Sequence, residues 1–175
     1  MSRFFAFVLG LLLCVPALAD TAFSLTGRIS IRHQESAYHG TLNWQHTQAS
    51  DELALAGPIG QGMAELRRDS YGAVLQLPNG ERYEAATLDD LAERLFGAPL
   101  PIAALPDWIR GIAPQAHRDA QQRPARLVLP DWTVEWLRYD DAGRPQLLSL
   151  ESATVGVRLR IDSWSESPDG IRSAP

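Results

Sequence analysis

Cysteine is nearly absent from this 175-residue chain: Cys14 is the only one. No intramolecular disulfide and no cysteine-built metal site can form. Long apolar runs are scarce too. After Leu18 no stretch approaches the roughly 20 apolar residues that a membrane-spanning helix needs. The four histidines, His33, His39, His46 and His117, lack zinc spacings such as H-x-x-x-H, and the G-x-S-x-G, P-loop and G-x-G-x-x-G motifs are missing. His33 and His39 flank an expected turn and read as solvated histidines. Asp89-Asp90 and Asp140-Asp141 read as a helix start and a turn rather than a catalytic dyad. Basic residues are scattered and outnumbered, 16 against 21 acidic, for a net charge of −5. The basic patch of a nucleic-acid binder is therefore not in evidence. These absences argue against an enzyme, a metal site or a cofactor site.

What is present begins with an address. Arg3 precedes an apolar run from Phe4 to Leu18 that ends in Ala17-Leu18-Ala19. A positive start, a short apolar stretch and an A-x-A site describe a secretory signal peptide over residues 1–19. One domain over 20–164 and a polar, disordered tail over 165–175 would follow. Cys14 gives a second reading, a lipoprotein signal over 1–13 with Cys14 as the lipidated residue. Leu11 suits that processing site, whereas Leu13 is larger than the position before the cysteine calls for. Both readings export the domain.

The dominant period in the domain is two. Phe23, Leu25, Ile29 and Ile31 fall on one side of a strand, with Ser24, Thr26, Arg28, Ser30 and Arg32 opposite. Tyr38, Leu42 and Trp44 continue the pattern, as do Leu53 and Leu55, Met63 to Arg68, Ala73 to Leu77 and Glu81 to Glu84. Asn79-Gly80 is a strong hairpin signal. Strands resume at Arg126 to Leu129, Trp132 to Tyr139, Leu147 to Leu150 and Thr154 to Trp164. In the last, Val155, Val157, Leu159 and Ile161 face one way and Arg158, Arg160 and Asp162 the other. One-sided alternation with short connections predicts an antiparallel sheet, curled or closed.

A helical interruption divides the strands. Thr87 is a good N-cap with Asp90 in the capping-box position. Leu88, Leu91, Ala92, Leu95 and Phe96 form an apolar stripe, and Gly97 closes it. Pro99, Pro101 and Pro106 follow, with Pro106 opening a short helix that carries Trp108 and Ile109 and stops at Gly111. Residues 112–124 read as loop. A sheet lined by Leu, Ile, Val and Trp needs a cover, and the inserted helices supply one. If they leave the interior unfilled, the result is an apolar cavity with a lid, suited to lipid-like ligands; the residues alone do not distinguish this from a packed core.

The segment Leu55 to Gly62 reads LAGPIGQG. Gly57, Pro58, Gly60 and Gly62 make it a turn, with Ile59 at its centre. Either Ile59 folds back into the core, or it stands exposed as an apolar anchor for a membrane, a greasy ligand or a partner.

Taken in order, the segments FSLTGRISIR, GTLNWQH, GPIGQG, LPNGERYEAATLDDLAERLFG, PLPIAALPDWIRG, WTVEWLRYDD and VRLRIDSW resemble the LolB family of outer-membrane lipoprotein receptors. The resemblance spans Phe23 to Trp164. It implies an unclosed antiparallel β-barrel with an inserted helical lid over a hydrophobic cavity. It further implies a monomer without cofactor that accepts lipoproteins from a LolA-type periplasmic carrier and inserts them into the inner leaflet of the outer membrane. The candidate delivery loop is then Gly57, Pro58, Ile59 and Gly60, with isoleucine where the family usually has leucine. The candidates for the acyl-chain cavity and lid are Leu42, Trp44, Leu91, Leu95, Phe96, Trp108, Ile109 and Trp136. Members are lipid-anchored through a cysteine, for which Cys14 is the candidate here; the alternative is a soluble periplasmic carrier on the same fold.

Overall fold

The computed structural model describes residues 22–33, 35–96 and 101–167. The expectations placed on the signal segment, Cys14, Gly97, Pro99 and the tail beyond residue 167 lie outside those residues, as do the side chains of Leu95 and Phe96. Six strands come first: β1 (Ala22–His33), β2 (Ser36–His46), β3 (Asp51–Ala56), β4 (Gly62–Asp69), β5 (Gly72–Gln76) and β6 (Arg82–Ala85). Helix α1 (Leu88–Phe96), a 3-10 turn (Ile102–Ala104) and helix α2 (Leu105–Ile109) interrupt them. Five more strands follow: β7 (His117–Arg118), β8 (Pro124–Val128), β9 (Thr133–Tyr139), β10 (Pro145–Glu151) and β11 (Val155–Ser167).

All eleven strands join one antiparallel sheet in the order β6-β5-β4-β3-β2-β1-β11-β10-β9-β8-β7. This order explains where the helices go. The edges, β6 and β7, are consecutive strands in the chain yet lie at opposite ends of the sheet, which stays open between them. The segment joining them crosses from edge to edge and carries α1 and α2 over the apolar side. The first and last strands pair at the centre, with Leu25 opposite Trp164 and Ile31 opposite Val157. Their register slips between Thr26 and Gly27, a bulge that bends the strands. Glycine is needed there, because a Cβ on Gly27 would sit 2.4 Å from the Arg160 carbonyl oxygen.

Burial follows the alternation. Phe23, Leu25, Leu42, Trp44, Val134, Leu148, Val155 and Leu159 are buried, while Arg28 and Arg32 on the other side keep most of their side chains in water. The main core holds residues of β1, β2, β8 to β11 and α2 together with Ala92 of α1, and a smaller one places Leu88 and Leu91 of α1 against Ala73 of β5. Thr87 Oγ1 accepts the Asp90 amide at 3.0 Å, capping α1. Pro106 lies in the first turn of α2.

Two expectations need correction. Residues 112–124 are not all loop: His117 pairs with Arg126 and Arg118 with Pro124, forming β7. Two residues are too few for alternation to be visible. Nor does the ordered chain end at Trp164, since Ser165, Glu166 and Ser167 continue β11 opposite Ser24, Phe23 and Ala22. Backbone pairing holds this polar stretch in the sheet without requiring apolar side chains.

Candidate functional site

Between the sheet and the helices lies an apolar cavity of about 160 Å³. Its floor is built by strand alternation: Ile29 and Ile31 of β1, Leu42 and Trp44 of β2, Leu53 and Leu55 of β3. Ala64, Leu66 and Leu75 extend it on β4 and β5, and Leu150, Val157 and Leu159 on β10 and β11. Leu88, Leu91 and Ala92 of α1, with Ile102 and Leu105, form the roof. No charged side chain lines it, so the space offers dispersion and exclusion of water, not hydrogen bonds.

Of the predicted cavity residues, Leu42, Trp44 and Leu91 lie in this wall. Trp108, Ile109 and Trp136 do not. They are buried where α2 seats on the main core, and Trp136 Nε1 donates to the Trp108 carbonyl at 2.8 Å. The short α2 presents its apolar face to that filled region, so these side chains act as a fixed post for the roof. Periodicity marked Ile29, Ile31, Leu53, Leu55, Val157 and Leu159 as inward-facing, but which inward residues border empty space depends on the distance to the roof.

The delivery-loop candidates form the turn between β3 and β4. Gly57 N–H donates to the Gln61 carbonyl at 2.8 Å and Gly60 N–H to the Gly57 carbonyl at 2.9 Å. Pro58 presets the first turn position, and Gly60 takes the left-handed φ of +82° that closes the loop. Ile59 is held between them with 89% of its surface exposed. It does not fold back into the core. Leu55 and Ala64, on the two strands leading into this turn, line the cavity, so one hairpin joins the exposed tip to the cavity wall.

At the opposite ends of these strands a polar network fixes Trp44. Asp51 is buried at 2% exposure. Its Oδ1 accepts from Trp44 Nε1 at 2.9 Å and from His46 Nδ1 at 2.6 Å, and its Oδ2 accepts from Arg68 Nε at 2.5 Å. Burial pushes the carboxyl pKa up, but hydrogen bonds from His46, Arg68 and Trp44 outweigh it and hold Asp51 below its ordinary range. Phe23 stacks on His46 at 4.8 Å and on Trp164 at 5.2 Å, and meets Trp44 edge-on at 5.2 Å. The indole that lines the cavity is thus oriented by a carboxylate behind it. Sequence reasoning missed this network, whose signal was Asp51 at the first position of a strand otherwise alternating normally. Among the described residues, no group of three His, Cys, Asp or Glu is placed to hold a metal ion.

Comparisons with known proteins agree with one another. A model of the outer membrane lipoprotein LolB family matches residues 21–164. The outer-membrane lipoprotein LolB of Thiobacillus denitrificans is 34% identical over 160 residues, covering 88% of this chain and 86% of that protein. That of an Azoarcus species is 32% identical over 149 residues, covering 81% and 77%. The crystal structure of a LolA superfamily protein from Nitrosomonas europaea superposes with a TM-score of 0.52 at 9% identity, covering 89% of this chain and 88% of that one. That likeness concerns the fold alone.

Proposed function

The chain belongs to the outer-membrane lipoprotein LolB family, and from that premise we propose that it takes lipoproteins from a LolA-type periplasmic carrier and inserts them into the outer membrane. Acyl chains of the cargo enter the apolar cavity, and Ile59 leads the loaded protein to the bilayer. The observation that carries this reading is a single hairpin with Leu55 and Ala64 in the cavity wall and Ile59 exposed at its tip. Burying one such side chain in lipid contributes roughly 1.5–3 kcal/mol. That is enough for a transient visit and too little for residence, which Cys14 would supply if lipidated.

The volume adds a requirement. A space of about 160 Å³ is close to the ~150 Å³ engineered apolar cavity that holds one benzene ring. An acyl chain is several times longer, so cargo binding parts the roof from the floor. Helix α1 is the element that yields. Among its described side chains, Leu88 and Leu91 close on the small core with Ala73 and only the small Ala92 enters the main core, whereas α2 is tied into the main core by Trp108, Ile109 and the Trp136 hydrogen bond. Arg94 of α1 also donates to the Glu84 carbonyl at 2.6 Å on the edge strand β6, a latch that solvent can replace.

The test is cargo transfer. A LolA-type carrier loaded with a lipoprotein is mixed with the purified chain, then with liposomes. Movement of cargo onto this protein and from it into liposomes is expected. Uptake without deposition would indicate a soluble carrier on the same fold, and no uptake by the folded protein would refute the receptor role.

A further inference from the structure

The outer face of the sheet carries a groove of about 480 Å³ that starts at Pro58, beside Ile59, and crosses β2, β1 and β11. Arg28, Arg158, Arg160 and His39 line it, and no carboxylate does, in a chain where acidic residues outnumber basic ones 21 to 16. The arginines are scattered in sequence and brought together by register. Arg28 lies opposite Arg160 on β11 and Thr41 on β2, and Ser30 lies opposite Arg158 and His39. Asp162 accepts from Arg28 through both oxygens, at 3.0 and 3.1 Å, and lies 3.3 Å from Arg160. One carboxylate thus serves two guanidinium groups. Arg158 sits between Ser30 and Ser149 and has no carboxylate partner among the described residues.

We propose that this groove is a headgroup site that takes the phosphate of anionic phospholipids in the bilayer that Ile59 enters. The proposal rests on the membrane-delivery reading and adds the lipid class that the protein selects. Guanidinium groups are planar forks that match phosphate oxygens. Continuity with the apolar tip decides for a lipid headgroup over free phosphate: Ile59 reaches the acyl boundary while the arginines stand beside it at the polar layer. The site gives the docked protein a preferred orientation, with the hairpin that borders the cavity turned to the membrane. A basic residue near an anionic surface strengthens binding about fivefold, an effect that salt screens.

The experiment is vesicle co-sedimentation of the full chain carrying Cys14→Ser in every arm, so that no acyl anchor contributes. Vesicles are phosphatidylethanolamine and phosphatidylcholine, with or without a phosphatidylglycerol fraction. Arg158→Gln is chosen because it breaks no ion pair, and Ile59→Glu reports on the tip. Arg158→Gln should bind phosphatidylglycerol vesicles about fivefold more weakly at low salt, bind neutral vesicles as the parent does, and lose its defect at high salt. Ile59→Glu should bind both vesicle types more weakly. Equal binding of Arg158→Gln and parent to phosphatidylglycerol vesicles, with Ile59→Glu still defective, would overturn the headgroup site and leave delivery standing. Ile59→Glu binding both vesicle types as the parent does would instead refute the tip. If Arg158→Gln lost only uptake from the carrier protein, the groove would be a protein contact and the proposal would fail.

Discussion

Replacing Asp51 by Asn tests the link between the buried network and the cavity. The change keeps the shape and one acceptor oxygen but removes the charge that three donors share: Trp44 Nε1, His46 Nδ1 and Arg68 Nε. Hydrogen bonds to a charged group contribute about 1.5–3 kcal/mol each, and removing one partner of a buried ion pair costs about 3–5 kcal/mol. Because Asn retains part of the bonding and Arg68 still reaches water, we expect a loss of roughly 2–4 kcal/mol at pH 7. The pH dependence carries a second signature. The folded pKa of Asp51 is lowered, so its contribution is fully present above the unfolded value of about 3.9 and is lost as pH falls through the folded value. The parent should therefore lose more stability than Asp51→Asn on acidification below about pH 4. Asp119, Asp140 and Asp162 also have lowered pKa values, but they are common to both proteins and cancel in the difference. Urea unfolding of both proteins at several pH values measures this. Binding of an apolar dye, read under conditions where both are folded, should weaken in the variant because Trp44 is no longer held in the cavity wall. Equal urea midpoints at pH 7, or an unchanged difference between the two proteins across the acid range, would refute the reasoning.

Three further predictions follow from the same geometry. Ile59→Glu should leave the urea midpoint within about 0.5 kcal/mol of the parent, as for an exposed surface position, and should slow delivery into liposomes by one to two orders of magnitude for the roughly 1.5–3 kcal/mol of lost lipid contact; a variant that delivers normally removes the tip from the mechanism. Ala92→Phe places a ring in the cavity from the roof. It should keep or raise stability, by up to ~2 kcal/mol as other cavity-filling changes do, while abolishing dye binding and cargo uptake; cargo uptake at the parental rate would move the acyl site elsewhere. Gln122 holds a left-handed φ of 63° in the turn between β7 and β8, a conformation that costs roughly 1–2 kcal/mol for a side-chain-bearing residue. Gln122→Gly should raise the melting temperature, and a fall would show that the side chain, not the backbone, matters there.

The sheet was legible because its cause is local. Alternation in β1, β2 and β11 separates Phe23, Leu25, Val155 and Leu159 from Arg28, Arg32, Arg158 and Arg160, and a pleated strand buries only one of those sets. The turn at Ile59 was legible for the same reason: Pro58 and Gly60 fix its backbone whatever surrounds it. Membership in the family was legible from the order of segments. What stayed hidden depends on pairing between distant residues. Trp108, Ile109 and Trp136 have the size and periodicity of cavity residues, yet Trp108 and Ile109 seat α2 directly on the main core beside Trp136, and only the height of the roof over each strand decides that. Asp51 collects its donors from β2 and β4. The arginine groove exists because residue 28 faces residue 160, a register that no local pattern encodes.

The small size of the empty cavity bears on how cargo could be received and then released. A buried methylene contributes ~0.8 kcal/mol, so a chain of about sixteen carbons gains on the order of 12 kcal/mol in any apolar surrounding. To a first approximation that gain is the same in the cavity and in the bilayer, and it favours neither. The difference lies in what the host must do. Opening this cavity separates Leu88 and Leu91 from Ala73 and its neighbours, and whatever part of those two side chains the acyl chain leaves uncovered returns to water, at up to roughly 3–6 kcal/mol for both; the bilayer has no such closure to undo. On the proposed route that penalty makes the loaded protein less stable than cargo in the membrane, and release runs downhill without an energy source. A preformed, open cavity of full size would lose that bias and expose a large apolar wall to water when empty. On this argument α1 is more than a cover: the contacts of Leu88 and Leu91 that hold it shut set the direction of transfer. Weakening them through Leu88→Ala should speed uptake and slow deposition into liposomes, whereas acceleration of both steps would show that closure is a barrier and not the driving term.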